Sequence, residues 1–162
     1  MRVLTQTLAD GLKAVASVVA TKSTLPILEC VRLEVSPNDA VLTASNLMNT
    51  VKKRVGIVTD NSGEMWQVAI PFAKLNAIVS TLDGVETNIT LDRNKLTIRL
   101  SCGSTISTLK CQDASEYPHL SVPDMENEGD SVDLTSLFGA LAGVGYAASS
   151  DGARVQLSGV YI

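Results

Sequence analysis

The sequence predicts an α+β fold built from repeated strand-helix-strand units, with antiparallel sheets. Two segments carry apolar residues at helical spacing, and each is followed by three short segments in which apolar and polar residues alternate. Turn-forming residues separate the short segments. The 162 residues are 45% hydrophobic, 19% charged and 4% aromatic, which is typical of a folded globular chain with an aliphatic core.

The first unit is expected to begin with a strand at residues 3–5 and an amphipathic helix at residues 8–20, with Thr7 as its N-cap. The apolar stripe of this helix consists of Leu8, Leu12, Val15 and Val19. Pro26 disfavours further helix and starts an extended segment at 27–35. Strands at 40–44 and 52–58 complete the unit.

The second unit repeats this order. A strand at 65–70 leads into a helix at 72–82, which Asp83 and Gly84 end. Three strands follow, at 87–91, 95–100 and 105–110. We expect residues 1–111 to form two antiparallel sheets, with the two helices side by side on the same side of them. Each helix should bury its apolar face and expose its polar face.

The composition changes after Cys111. Residues 113–130 contain two prolines and several acids but no lysine or arginine, which is typical of a linker. Farther on, Leu137, Leu141 and Val144 lie 129 residues after Leu8, Leu12 and Val15, which indicates an internal repeat. The sequence therefore predicts a first domain at 1–120, an acidic linker at 121–130 and the truncated start of a second domain at 131–162.

Charge is divided unevenly along the chain. Residues 1–110 hold 12 of the 13 lysines and arginines and 9 of the 17 acids, whereas residues 111–162 hold one basic residue and eight acids. Because binding follows local surface charge, the N-terminal part remains compatible with a nucleic-acid partner. No apolar run approaches 18 residues and no signal peptide is recognisable, so we expect a cytoplasmic protein that makes no membrane contact.

Catalysis is weakly indicated. Glu86 with Asp92 could act as general acid and base, and Cys102, beside a turn, as a nucleophile with His119 as its base. We favour the alternative that these are solvated acids and an unreactive thiol. The three cysteines form no CxxC pair and His119 is the only histidine, so the sequence supports no metal site and no cofactor.

Three lysines give a more specific indication. Lys13 and Lys74 lie on the polar faces of the two predicted helices, and Lys22 follows the first helix. Sparse lysines among small residues suit loose, non-specific contact with a phosphate backbone. The alternative is that they only solubilise the helices. The run Lys52, Lys53 and Arg54 is more basic, but it lies on a strand.

Five stretches together resemble the bacterial β sliding clamp, the processivity subunit of DNA polymerase III. They are TLPIL at 24–28, LTASNL at 42–47, IPFAKL at 70–75, EYPHL at 116–120, and DGAR at 151–154 followed by LSGV at 157–160. Each motif is weak alone, but their order and spacing agree with the first part of this three-domain family.

The resemblance implies a DNA-clamp fold, in which helices line the hole of a ring and sheets form its rim. It implies a non-catalytic processivity role in DNA replication, with duplex DNA bound without sequence preference and with DNA polymerase III and the clamp loader as partners. Lys13, Lys22, Lys74 and Arg154 would then face DNA, and Leu157 would belong to an incomplete cleft for partner peptides. A ring-forming homodimer is implied only where the third domain is present.

Departures from the family pattern lower the expected affinity for DNA. Ala73 and Ser80 stand where the family often has basic residues. A chain without a third domain and with an incomplete second domain is expected neither to close a ring nor to complete the peptide cleft. Two other classes remain open: an enzyme that uses Cys102 or surface acids, and a protein interaction module with no DNA role.

Overall fold

A computed structural model describes residues 1–59, 65–118, 132–151 and 155–161. The chain forms two compact units, Met1–Val122 and Pro123–Ile162. The predicted linker at 121–130 and His119 lie outside the described residues. None of the described helices is long and apolar enough to cross a membrane.

The described part of the first unit contains two α-helices and eight strands in the predicted order. The helices are α1 (Thr5–Val15) and α2 (Phe72–Val79). The strands are β1 (Arg2–Leu4), β2 (Cys30–Val35), β3 (Asp39–Ser45), β4 (Thr50–Thr59), β5 (Trp66–Pro71), β6 (Glu86–Asp92), β7 (Thr97–Cys102) and β8 (Thr105–Lys110).

All eight strands join in one antiparallel sheet with the order β5-β2-β3-β4-β1-β6-β7-β8. The two predicted sheets are therefore its two halves, and they are connected because the long strand β4 pairs first with β3 and then with β1. The strand before each helix joins the other half of the sheet: β1 pairs with β6 as well as with β4, and β5 pairs with β2. A bridge between Ala69 and Gln112 adds a contact between β5 and the segment after β8.

The two helices pack against each other and fill one core on the same side of the sheet, as predicted. From α1 the core receives Leu8, Leu12 and Val15, and from α2 it receives Leu75 and Val79. A second, smaller cluster contains Cys30 and Tyr117, whose hydroxyl donates to the Cys30 carbonyl at 3.5 Å. The apolar periodicity therefore identified the buried faces correctly.

The predicted start of the first helix is wrong. The helix begins at Thr5 directly after β1, and its N-cap is Leu4 rather than Thr7. No side chain caps it; the Thr5 N–H instead donates to the Val85 carbonyl at 2.9 Å, which satisfies one of the unpaired amides of the first turn. The helix also ends at Val15 rather than residue 20, and α2 ends at Val79 rather than residue 82.

Two predicted strands begin later than expected. Pro26–Glu29 forms a 3-10 helix, because Pro26 is suited to a first helical turn, and β2 starts only at Cys30. Lys95 belongs to the turn before β7, where the Asp92 carboxylate accepts hydrogen bonds from the N–H groups of Asn94 and Lys95, each at 3.1 Å.

The second unit contains the helix α3 (Leu134–Val144), followed by the short 3-10 helices Gly145–Ala147 and Val155–Leu157. Asp133 caps α3, since its carboxylate accepts from the N–H groups of Thr135 and Ser136. No residue of α3 is buried.

Candidate functional site

The exposed face of α1 carries Lys13 in the last turn of the helix. Leu12 and Val15 turn into the core on the opposite side, which leaves Lys13 in solvent. Asp10 is also exposed on this helix and accepts a hydrogen bond from Gln6 at 2.9 Å. Lys13 near the helix C-terminus also interacts favourably with the unpaired carbonyls there, so a helix-stabilising role accounts for part of its position.

The exposed face of α2 carries one lysine and no acid. Lys74 lies in solvent beside the small residue Ala73, while Leu75 is buried. The helix contains no acidic residue. Because α1 and α2 pack against each other and share one core, their exposed faces lie on the same side of the sheet.

Lys22 lies in the segment between α1 and β2 and is exposed. Hydrogen bonds hold this segment on either side of it: the Ala20 N–H donates to the Leu28 carbonyl at 3.2 Å, and the Ser23 N–H donates to the Glu29 carboxylate at 3.3 Å. The backbone around Lys22 is therefore fixed, whereas its side chain is free to extend into solvent.

Among the residues that the structure describes, none forms an ion pair with Lys13, Lys22 or Lys74. We call these three lysines the lysine set. Asp10 is the acid that accompanies them on the described helix faces of the first unit. This arrangement suits weak, screened attraction to a polyanion better than a tight binding site.

Of the two predicted site residues in the second unit, the structure describes only Leu157. Arg154 lies outside the described residues. Leu157 is 54% exposed and lines a cleft of about 330 Å³ with Val144, Ala148 and Val160. The cleft is mostly apolar, which suits an apolar side chain of a partner.

The groups proposed for catalysis are not gathered. Cys102 lies beside a turn but is only 2% exposed, so its thiol is not presented to solvent. Glu86 pairs with Arg2 at 3.5 Å and Asp92 with Lys95 at 4.0 Å. Within the described part of the chain, no group of three or more histidines, cysteines or acids could hold a metal ion.

The other two cysteines are also poorly suited to nucleophilic chemistry. Burial, together with smaller effects of the neighbouring Cys111 and Glu29, raises the pKa of Cys30 to about 11. Burial likewise raises the pKa of Cys111 to about 11, against a hydrogen bond with the Ile98 backbone that lowers it. Thiols with raised pKa values remain protonated near neutral pH and react slowly.

The sequence reasoning missed a cleft on the outer face of β6, β7 and β8. Arg99 is exposed at its centre, between Thr90 and Thr108 on the neighbouring strands. The alternation of these residues with Ile89, Ile98 and Leu109 is the signal that could have placed them on one outward face.

Comparison with known families decides the assignment. Residues 1–121 match the family model described as DNA polymerase III beta subunit, N-terminal domain. The chain belongs to this family. The matched residues include all three lysines of the lysine set and both helices, α1 and α2. No curated protein matches the chain in sequence.

Solved structures of DNA polymerase III beta subunits have the same fold. The beta subunit of Streptococcus pyogenes superposes with a TM-score of 0.87 at 22% identity, over 98% of this chain and 42% of that one. The Pseudomonas aeruginosa subunit gives 0.81 at 23% identity, over 98% and 42%. A sliding clamp of Bartonella birtlesii bound to griselimycin gives 0.79 at 22% identity, over 95% and 40%. This confirms the predicted α+β clamp fold, and the chain spans less than half the length of these relatives.

Proposed function

We propose that the chain is part of a DNA sliding clamp, a non-catalytic processivity factor that tethers the replicative polymerase to duplex DNA. Membership of the DNA polymerase III beta subunit family supports this proposal. The observation that carries it is the position of α1 and α2 on one side of the sheet, where their exposed faces present Lys13 and Lys74 with no acid on α2. Such a surface offers charge to phosphates without holding any single base or register.

Weak contact is an advantage for this role. A clamp that remains on DNA by encircling it needs no strong bonds to the phosphates, and strong bonds would slow its movement along the duplex. The lysine set offers at most three phosphate contacts, and Asp10 opposes them. The sparse charge is therefore consistent with a surface that slides.

The remaining assignments follow from the same proposal. Residues 1–120 are the first clamp domain, 121–130 a linker and 131–162 the start of a second clamp domain. Arg154 faces DNA, and Leu157 belongs to a cleft that receives peptides of DNA polymerase III and the clamp loader. Together with the rest of a clamp, two copies form a cytoplasmic ring.

Lysine footprinting tests which face meets DNA. The chain is acylated with a lysine-specific reagent at low salt, with and without excess short duplex, and the modified sites are quantified by mass spectrometry. We expect the duplex to protect Lys13, Lys22 and Lys74. Lys52 and Lys110, which are exposed on strands, serve as controls that remain fully reactive.

Other protection patterns would contradict this assignment. Protection of Lys52 and Lys110 in place of the lysine set would move the DNA-binding face to the sheet. No protection of any lysine at low salt would favour the interaction module with no DNA role. Topological tethering is tested separately, with a longer protein that contains this chain and the remaining clamp domains: it should be retained on circular DNA and lost when that DNA is cut.

A further inference from the structure

The sheet carries positive charge that the proposed clamp function does not use. Its eight strands contain seven lysines and arginines but four acids, a surplus of three. All four acids already form ion pairs: Glu34 with Arg32, Asp39 with Arg54, Glu86 with Arg2, and Asp92 with Lys95. Within the described residues, Arg99 has no such partner.

Arg99 lies at the centre of the cleft on the outer face of β6, β7 and β8. It is directly opposite Thr90 on β6 and Thr108 on β8, so that a hydroxyl-bearing side chain flanks it on each side. The cleft has a volume of about 450 Å³, and Lys95 and Asp92 line it as well. Cross-strand neighbours on one face have their Cβ atoms roughly 5 Å apart, which places all three side chains within reach of one small ligand.

This donor set suits phosphate. The guanidinium of Arg99 presents a planar fork that can donate two parallel hydrogen bonds to one oxyanion. The hydroxyls of Thr90 and Thr108 can each donate one more. The charge of Lys95 is offset by its ion pair with Asp92, so Arg99 supplies the net positive charge of the cleft. We infer that this cleft binds the phosphate group of a small molecule, either inorganic phosphate or a phosphate monoester.

The lining limits the size and kind of ligand. It contains no aromatic side chain on which a base could stack, which argues against single-stranded nucleic acid. Asp92 places a negative charge in the same cleft and would repel a second phosphate of an extended polyanion. The inference does not depend on the proposed clamp function, since it concerns the face of the sheet opposite to the helices.

The test is a titration of the 162-residue chain with sodium phosphate, followed by amide chemical shifts in two-dimensional NMR. Sodium chloride at matched ionic strength is the reference. We expect saturable shifts at Thr90, Arg99 and Thr108 with phosphate and none with chloride. R99Q should weaken binding about tenfold, because hydrogen bonds to charged groups are lost. D92N should strengthen binding, and K52Q, a change elsewhere on the sheet, should leave it unchanged.

The opposite results would overturn the inference. Non-saturable shifts that chloride reproduces would mean that there is no site, and unchanged binding by R99Q would remove Arg99 from it. A second titration with glycerol phosphate distinguishes the sources, since tighter binding than inorganic phosphate identifies a monoester as the ligand. Shifts of the same amides by duplex DNA at lower concentration than phosphate would refute a small-molecule site.

Discussion

Replacing Lys22 and Lys74 together by Glu should nearly abolish binding of this 162-residue chain to linear duplex DNA. Both side chains are exposed, and no described residue forms an ion pair with either of them. The substitutions therefore remove charge without breaking contacts in the core. Circular dichroism should show the same fold and a similar thermal midpoint for the double variant.

The salt dependence gives the magnitude. Three lysines that neutralise three phosphates predict a slope near −2.7 in a plot of log affinity against log salt, at roughly −0.9 for each phosphate. Affinity should then fall about 40-fold between 50 and 200 mM salt. With Lys13 alone left the slope is about −0.9 and the fall only about 3.5-fold. With so few contacts, the dissociation constant at physiological salt should exceed about 10⁻⁴ M.

Fluorescence anisotropy with short labelled duplexes at these two salt concentrations measures both quantities. A second double variant, Lys52→Glu with Lys110→Glu, carries the same change in net charge on strand residues and serves as the matched control. An equal loss of binding in this control would mean that net charge, rather than the helix surface, determines binding. Tight, salt-insensitive or sequence-selective binding by the unaltered chain would refute the clamp interpretation or the choice of face.

Three further predictions concern stability and dynamics. Leu12→Ala, at a fully buried position on α1, should lower the free energy of unfolding by about 2–5 kcal/mol in urea titrations, whereas the half-exposed Leu25→Ala should cost much less. The pKa values of Cys30 and Cys111 are raised from 9.0 to about 11 in the folded chain, so the unfolded chain loses these protons at lower pH. The free energy of unfolding should therefore fall as pH rises from 9 to 11, and these thiols should not affect it below pH 9. A pH profile of stability that Cys111→Ala leaves unchanged would contradict this. Amide hydrogen exchange should be faster in α3, which has no buried residue, than in β2, and equal protection of both would show that α3 is covered in solution.

Local periodicity explains why the fold class and the buried faces could be predicted. Leu8, Leu12 and Val15 recur at helical spacing, and all three are buried. The helix bounds were predicted less well, since the N–H of Thr5 is satisfied by a carbonyl 80 residues farther along the chain. A contact of this kind leaves no mark in the neighbouring sequence.

Long-range pairing explains what could not be predicted. The pairing of β1 with β6 and of β5 with β2 depends on which strand edges meet, and the alternation within each strand is the same for either partner. Gly11 shows the same limit. In the sequence it is only a weak helix former, but a Cβ at this position would lie 2.8 Å from Val55 Cγ2 and 3.0 Å from Leu42 Cδ1. Glycine thus permits α1 to approach β3 and β4 closely.

The candidate site was predictable only in part, for a related reason. The exposure of Lys13 and Lys74 followed from the opposite positions of the apolar stripes, and the expected side-by-side arrangement of α1 and α2 places both lysines on one side of the sheet. The phosphate cleft requires more, because Thr90, Arg99 and Thr108 come from three strands and meet only through the observed register.

The predicted internal repeat pairs residues that differ in burial between the two units. Val15 is 0% exposed, whereas its equivalent Val144 is 49% exposed; Leu28 is 3% exposed, whereas Leu157 is 54% exposed. In the first unit the hairpin of β3 and β4 packs on α1, and the described part of the second unit contains no strand that could cover α3 in the same way. The same apolar pattern therefore builds a core in one unit and an open cleft in the other. Because buried apolar area stabilises a fold by about 25 cal/mol per Å², this difference in covering predicts that the first unit provides most of the stability and that the second provides an accessible apolar surface.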